Sequence, residues 1–130
     1  MTKKNRILIV DDDKTSLMVL LDILQQQDYS LNIAKKGTEA LKNAAKYMPD
    51  LILLDILLPD MDGYEVLAQL QKDDSTKKIP VIFISGLNES GSREKGLNLG
   101  AVDYITKPFS PSDIKIKVMR ELQIINRQQD

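Results

Sequence analysis

Ile7-Leu8-Ile9-Val10-Asp11-Asp12-Asp13 is a run of four apolar residues that ends on three carboxylates. A strand with one wet face alternates apolar and polar residues. A strand covered on both faces is apolar throughout, as in a parallel sheet sandwiched between helices. Residues 51–54 and 81–84 repeat this pattern, and polar residues come after them too, Asp55 and Ser85. Tyr104-Ile105 is a weaker instance, and residues 31–34 are a fifth strand candidate, near the edge of a sheet.

Helical periodicity fills the gaps. Leu17, Leu20, Leu21 and Leu24 follow the i, i+3, i+4, i+7 rule. Ala40, Leu41, Ala44 and Ala45 come after Gly37-Thr38, which reads as an N-cap. Tyr64, Val66, Leu67 and Leu70 follow Asp62-Gly63. Residues 92–99 predict a short polar helix that stops at Gly100. Ile114, Val118, Leu122 and Ile125 form the last stripe, and Pro111 suits a first helical position. Strand and helix thus alternate five times. This predicts a doubly wound α/β fold, a five-stranded parallel sheet with five helices on its two faces, joined by right-handed crossovers.

A chain of 130 residues is one domain by size. We expect a single domain over 1–130, with its core at about 6–122 and residues 123–130 as a helix extension or the start of a linker. No apolar run approaches the roughly 20 residues that span a bilayer, and no secretory apolar segment follows the basic N-terminus. No membrane association is expected, and a cytoplasmic location is. Eighteen Lys and Arg against 19 Asp and Glu leave a net charge of −1, which provides no electrostatic footprint for nucleic acid. The chain has no Cys and no His. That excludes thiolate chemistry, Ser-His-Asp hydrolysis and His-ligated metals, so any chemistry must rest on carboxylates, hydroxyls and lysines.

Ligands of a doubly wound sheet bind beyond the carboxyl ends of its strands. There the sequence sets Asp11, Asp12 and Asp13, then Asp55, then Ser85 and Gly86, then Thr106, Lys107 and Pro108. Crowded carboxylates repel unless a cation neutralises them. Oxygen ligands without His or Cys select a hard ion such as Mg²⁺, which readily binds a phosphoryl oxygen. Lys107 adds a point charge for the same group and Ser85 a hydroxyl. One carboxylate is then free to attack phosphorus. Read singly, each residue has a plainer account: Asp13 as a helix N-cap, Lys107 as a surface lysine, Ser85-Gly86 as turn chemistry. Their joint placement favours a site.

Ile7-Leu8-Ile9-Val10-Asp11-Asp12-Asp13, Leu53-Leu54-Asp55-Ile56 with Pro59 and Asp62-Gly63, Ile84-Ser85-Gly86, and Asp103-Tyr104-Ile105-Thr106-Lys107-Pro108-Phe109 closely resemble the response-regulator receiver family of two-component signalling. The resemblance runs from about Arg6 to about Leu122. It implies a flavodoxin-like sheet of order 2-1-3-4-5, with Asp55 as phosphoacceptor. It also implies Asp12 as direct Mg²⁺ ligand, Asp11 holding the ion's waters, and the Leu57 carbonyl as a further ligand. Lys107 would pair with the phosphoryl group, and Ser85 and Tyr104 would form the switch, Tyr104 turning inward as the Ser85 hydroxyl is drawn to phosphate. Asp13 falls outside the usual acidic pair. Leu57 and Leu87 stand where polar residues often sit, so slow self-dephosphorylation is expected. Gly86 replaces a frequent Ala and should loosen its loop.

The implied partners are a sensor histidine kinase or phosphotransfer protein, a second copy through the last strand and helix, and an output domain in the same full-length chain. With no His here, the phosphohistidine must lie elsewhere. The chain could be a stand-alone regulator or a receiver cut from a diguanylate cyclase or hybrid kinase. A Mg²⁺-dependent phosphohydrolase of haloacid-dehalogenase type would need an Asp where Leu57 stands. An inactive pseudo-receiver would not be expected to keep Asp12, Asp55, Ser85 and Lys107. The domain is therefore not expected to be an enzyme beyond acting on its own phosphoryl group.

Overall fold

The computed structural model describes residues 4–86 and 91–128. The elements alternate as read: β1 (Asn5–Val10), α1 (Lys14–Leu24), β2 (Tyr29–Ala34), α2 (Gly37–Tyr47), β3 (Leu51–Asp55), α3 (Gly63–Lys72), β4 (Val81–Ser85), α4 (Ser92–Asn98), β5 (Asp103–Thr106) and α5 (Pro111–Gln128). The five strands form one parallel sheet of order β2-β1-β3-β4-β5. This is the flavodoxin-like order.

Each continuous apolar run divides its side chains between two layers, because successive residues of a strand point to opposite faces. Leu8, Val10, Ile52, Leu54, Val81 and Phe83 pack with Ala40, Ala44, Val66, Leu67 and Leu70 of α2 and α3. Ile7, Ile9, Leu51, Leu53, Ile82 and Ile84 pack with Leu17, Leu20, Ile23 and Leu24 of α1 and with Ile114, Val118 and Leu122 of α5. Strand β2, at one edge, is only half-buried over most of its length, which is why its sequence reads less clearly. It also begins two residues before the expected start, at Tyr29.

The helix starts show how local chemistry sets element boundaries. Asp13 caps α1, its side chain accepting from the Ser16 N–H at 3.1 Å and hydroxyl at 2.7 Å. Asp62 caps α3 through the Glu65 N–H at 2.9 Å. At α2 the expectation fails. The N-cap is Lys36, not Gly37 or Thr38, and it makes no side-chain cap bond. The acceptor comes instead from Asp60, 23 residues downstream of Gly37, whose carboxylate takes the N–H groups of Gly37 at 2.7 Å and Thr38 at 2.9 Å. Among the described residues, no helix is long and apolar enough to cross a membrane.

Candidate functional site

The parallel register brings the polar strand ends to one edge of the sheet. Val10 pairs with Leu54 and Asp55 with Ile84, while Ser85 pairs with Thr106. One residue past these pairs lie Asp11, the β3–α3 loop and Lys107. Backbone bonds fix the loops that leave the strands: Asp11 N to the Ala34 carbonyl at 3.1 Å, Ile56 N to Ile84 at 3.1 Å, and Lys107 N to Ser85 at 2.7 Å.

Asp11 is fully buried and Asp55 nearly so, whereas Asp12 is exposed. One oxygen from each of these three lies within 4.8 Å of the others. Lys107 Nζ sits between the two buried carboxylates, 2.9 Å from Asp55 Oδ2 and 3.1 Å from Asp11 Oδ2. The other Asp55 oxygen, Oδ1, accepts from the Leu57 N–H at 3.1 Å. Asp11 Oδ1 accepts from the Asp13 N–H at 2.9 Å. Among the described residues, Asp11 Oδ2 has the Lys107 ion pair and no hydrogen-bond partner despite its burial.

The electrostatics arise from this crowding. Burial, the largest cause, and the neighbouring charge of Asp55 push the Asp11 carboxyl up to about 6, although the Asp13 N–H works the other way. Burial also opposes the Lys107 charge. Its hydrogen bond to Asp55 and the charges of Asp55 and Asp11 outweigh that and raise the ammonium above its ordinary value. Among the described residues, Lys107 is the cation paired with these carboxylates, and the cluster remains short of positive charge. An under-bonded, oxygen-only cluster of this kind fits a hard divalent ion.

Ser85 is buried at the end of β4, its hydroxyl 3.4 Å from the Gly86 carbonyl. Among the described residues, a Cβ at Gly86 would meet nothing within 4 Å. Tyr104 is already inward, 8% exposed and packed in the layer that contains Phe83. The Leu57 side chain points to solvent, 64% exposed. Leu87 lies outside the described residues. Beside the cluster, Thr15, Ser16, Val19, Lys107, Pro108 and Phe109 line a largely apolar cavity of about 320 Å³.

Two residues were missed in the sequence. Lys117 on α5 donates to the Tyr104 carbonyl at 2.6 Å and pairs with Asp113 at 3.3 Å. Its spacing from Asp113, one helical turn, was the available signal. Asp60 carried no local signal, because its partners belong to a different element.

A sequence profile described as response regulator receiver domain matches residues 7–119. The chain is 41% identical over 113 residues to the alkaline phosphatase synthesis transcriptional regulatory protein PhoP of Bacillus subtilis, covering 87% of this chain and 46% of that protein. It spans about half the length or less of the curated relatives it matches. A response regulator receiver domain protein, CheY-like, from Methanospirillum hungatei superposes with a TM-score of 0.87 at 33% identity, covering 97% of this chain and 99% of that one. The receiver domain of sensor histidine kinase PA1611 from Pseudomonas aeruginosa, whose structure has a magnesium ion coordinated in the active site cleft, superposes with a TM-score of 0.85 at 26% identity, covering 93% and 99%. Sheet order, the polar edge and the profile agree, and the chain belongs to the response regulator receiver domain family of two-component signalling.

Proposed function

We propose that this domain is a phosphorylation switch, with Asp55 as the phosphoacceptor and Mg²⁺ as its cofactor. The observation that carries the reading is the Lys107 ammonium held between Asp55 and a buried Asp11 whose Oδ2 receives no hydrogen bond. Asp12, Asp11, Asp55 and the Leu57 carbonyl would hold the ion. When bound, it supplies the positive charge that lets an anionic phosphoryl group approach these carboxylates.

An Asp55 oxygen attacks phosphorus in line with the leaving nitrogen of a donor phosphohistidine. The O–P bond forms as the P–N bond breaks, and the electron pair stays on the imidazole nitrogen, which takes a proton from solvent. Lys107 then exchanges its Asp55 contact for a phosphoryl oxygen, and the Ser85 hydroxyl donates to another. The Ser85 shift communicates with Tyr104 on the neighbouring strand. The donor is a histidine kinase or phosphotransfer protein, and the apolar cavity at Val19, Pro108 and Phe109 offers it a seat beside the reacting carboxylate. The magnesium in the PA1611 receiver supports the choice of ion.

Intact mass after incubation with acetyl phosphate tests the assignment. One added phosphoryl group is expected with Mg²⁺, and none with a chelator or in Asp55→Asn. Labelling of that variant, or labelling without metal, would refute it.

A further inference from the structure

The β3–α3 loop leaves Asp55 and returns to α3 through two backbone anchors, Ile56 N to the Ile84 carbonyl at 3.1 Å and Gly63 N to the Ile56 carbonyl at 2.7 Å. Gly63 must be glycine for this closure, since a Cβ would lie 2.5 Å from the Asp55 carbonyl oxygen. Between the anchors the chain swings outward, and Leu57, Pro59 and Asp60 are exposed. Asp60 is the side chain of this outward stretch that bonds to another part of the fold. Its two oxygens take the Gly37 and Thr38 N–H groups, two of the donors that a helix start leaves without intrahelical partners. The adjoining Met61 lies over Gly37 so closely that a Cβ there would overlap its Cγ. The loop is therefore clamped to the start of α2 by a paired hydrogen bond and a packed side chain. Three residues before the clamp, the Leu57 N–H holds Asp55 Oδ1.

We infer that Asp60 is a positioning residue for the site: by fastening the loop to α2 it fixes the Leu57 amide that orients Asp55 and the Leu57 carbonyl assigned to the ion. The inference rests on the function proposed above. A loop held in its bound shape before the ion arrives loses less conformational freedom on binding. Residues one step behind metal ligands typically change affinity by tenfold or more when removed.

Three variants separate positioning from simple helix capping. Asp60→Ala removes the clamp, and Mg²⁺ affinity measured by calorimetry should fall about tenfold, with faster hydrogen exchange at the Leu57 amide. Asp60→Asn removes the charge but keeps one acceptor, and its affinity should fall between those of Ala and the unaltered chain. Lys36→Asp with Asp60→Ala gives α2 an N-cap of its own, since residue 36 already has the extended backbone such a cap needs (φ −152°, ψ 164°). That double variant should regain thermal stability while Mg²⁺ affinity stays low. Unchanged affinity in Asp60→Ala, or affinity restored by Lys36→Asp, would overturn the inference and leave Asp60 as a helix cap. Failure of the unaltered chain to bind Mg²⁺ would overturn the proposed function first, and this inference with it.

Discussion

Under the proposed function, Asp11 serves the site at a cost to the fold. Its carboxyl is fully buried, and its folded pKa of about 6 means that the surroundings disfavour its charge despite Lys107 at 3.1 Å. Lys107 would retain Asp55 if Asp11 were neutral. Asp11→Asn is therefore expected to stabilise the ion-free chain by about 1–2 kcal/mol while abolishing Mg²⁺ binding, which urea unfolding with and without Mg²⁺ would measure. Asp60 has the opposite sign. The Thr38 N–H chiefly, with that of Gly37, holds its carboxyl down to about 2, below the unfolded value. Its contribution is present above pH 4 and disappears as pH falls toward 2. Asp60→Ala should flatten this part of a plot of stability against pH, and an unchanged slope would count against the clamp. Under the proposed function, Leu57 bears on the lifetime of the phosphoryl group rather than on stability. An apolar side chain at the site mouth cannot orient an attacking water, so Leu57→Asn should speed loss of the phosphoryl group several-fold, as mass spectrometry over time would record.

Among elements, α4 and α5 are unequal. Helix α4 is short, and its buried contact with the sheet is Gly96, where a Cβ would come within 2.6 Å of Phe83 Cδ2. Even Gly96→Ala must push the helix off β4. The better helix propensity of alanine is outweighed by this overpacking, and a loss of about 1–3 kcal/mol is expected on urea unfolding. Helix α5 has two usable faces. Ile114, Val118 and Leu122 are buried, whereas Ile116, Met119 and Ile124 are between 41% and 49% exposed. Truncating Leu122 to Ala should cost about 2–5 kcal/mol, while Met119→Ser should leave monomer stability within about 0.5 kcal/mol. This contrast was legible in the sequence, because a 3.6-residue period survives in a helix with one covered side. The strands were legible as buried, but a run apolar at every position conceals which residue faces which layer. Caps within one segment, such as Asp13 and Asp62, could be read from spacing. Asp60 at α2 could not, since the bond depends on a crossover bringing two distant loops together.

For the whole molecule, α5 leaves Ile116, Met119 and Ile124 exposed on the side away from its buried stripe, and Leu97, Leu99 and Val102 are exposed as well. Under the proposed function this face would meet a second copy or an output domain once Asp55 is phosphorylated. Sedimentation with beryllofluoride, a phosphoryl mimic, is expected to show a dimer that Met119→Ser weakens; a monomer in both states would exclude self-association through this face. The sheet order, the polar edge and the acidic cluster were all recoverable from the sequence, because each depends on the residues at and just beyond a strand's carboxyl end. The inward Tyr104 and the bonds of Lys117 were not, as they depend on rotamers. Finally, the uncharged runs at 7–10, 51–54 and 81–84 are safe only while helices cover both faces. Once heat strips those helices away, these segments are exposed β-formers; Arg6 and Asp11 flank the first and Asp50 and Asp55 the second, but no charge adjoins 81–84. Thermal denaturation should therefore be irreversible at high protein concentration, with turbidity rising soon after the melt, and recovery on cooling should improve on dilution.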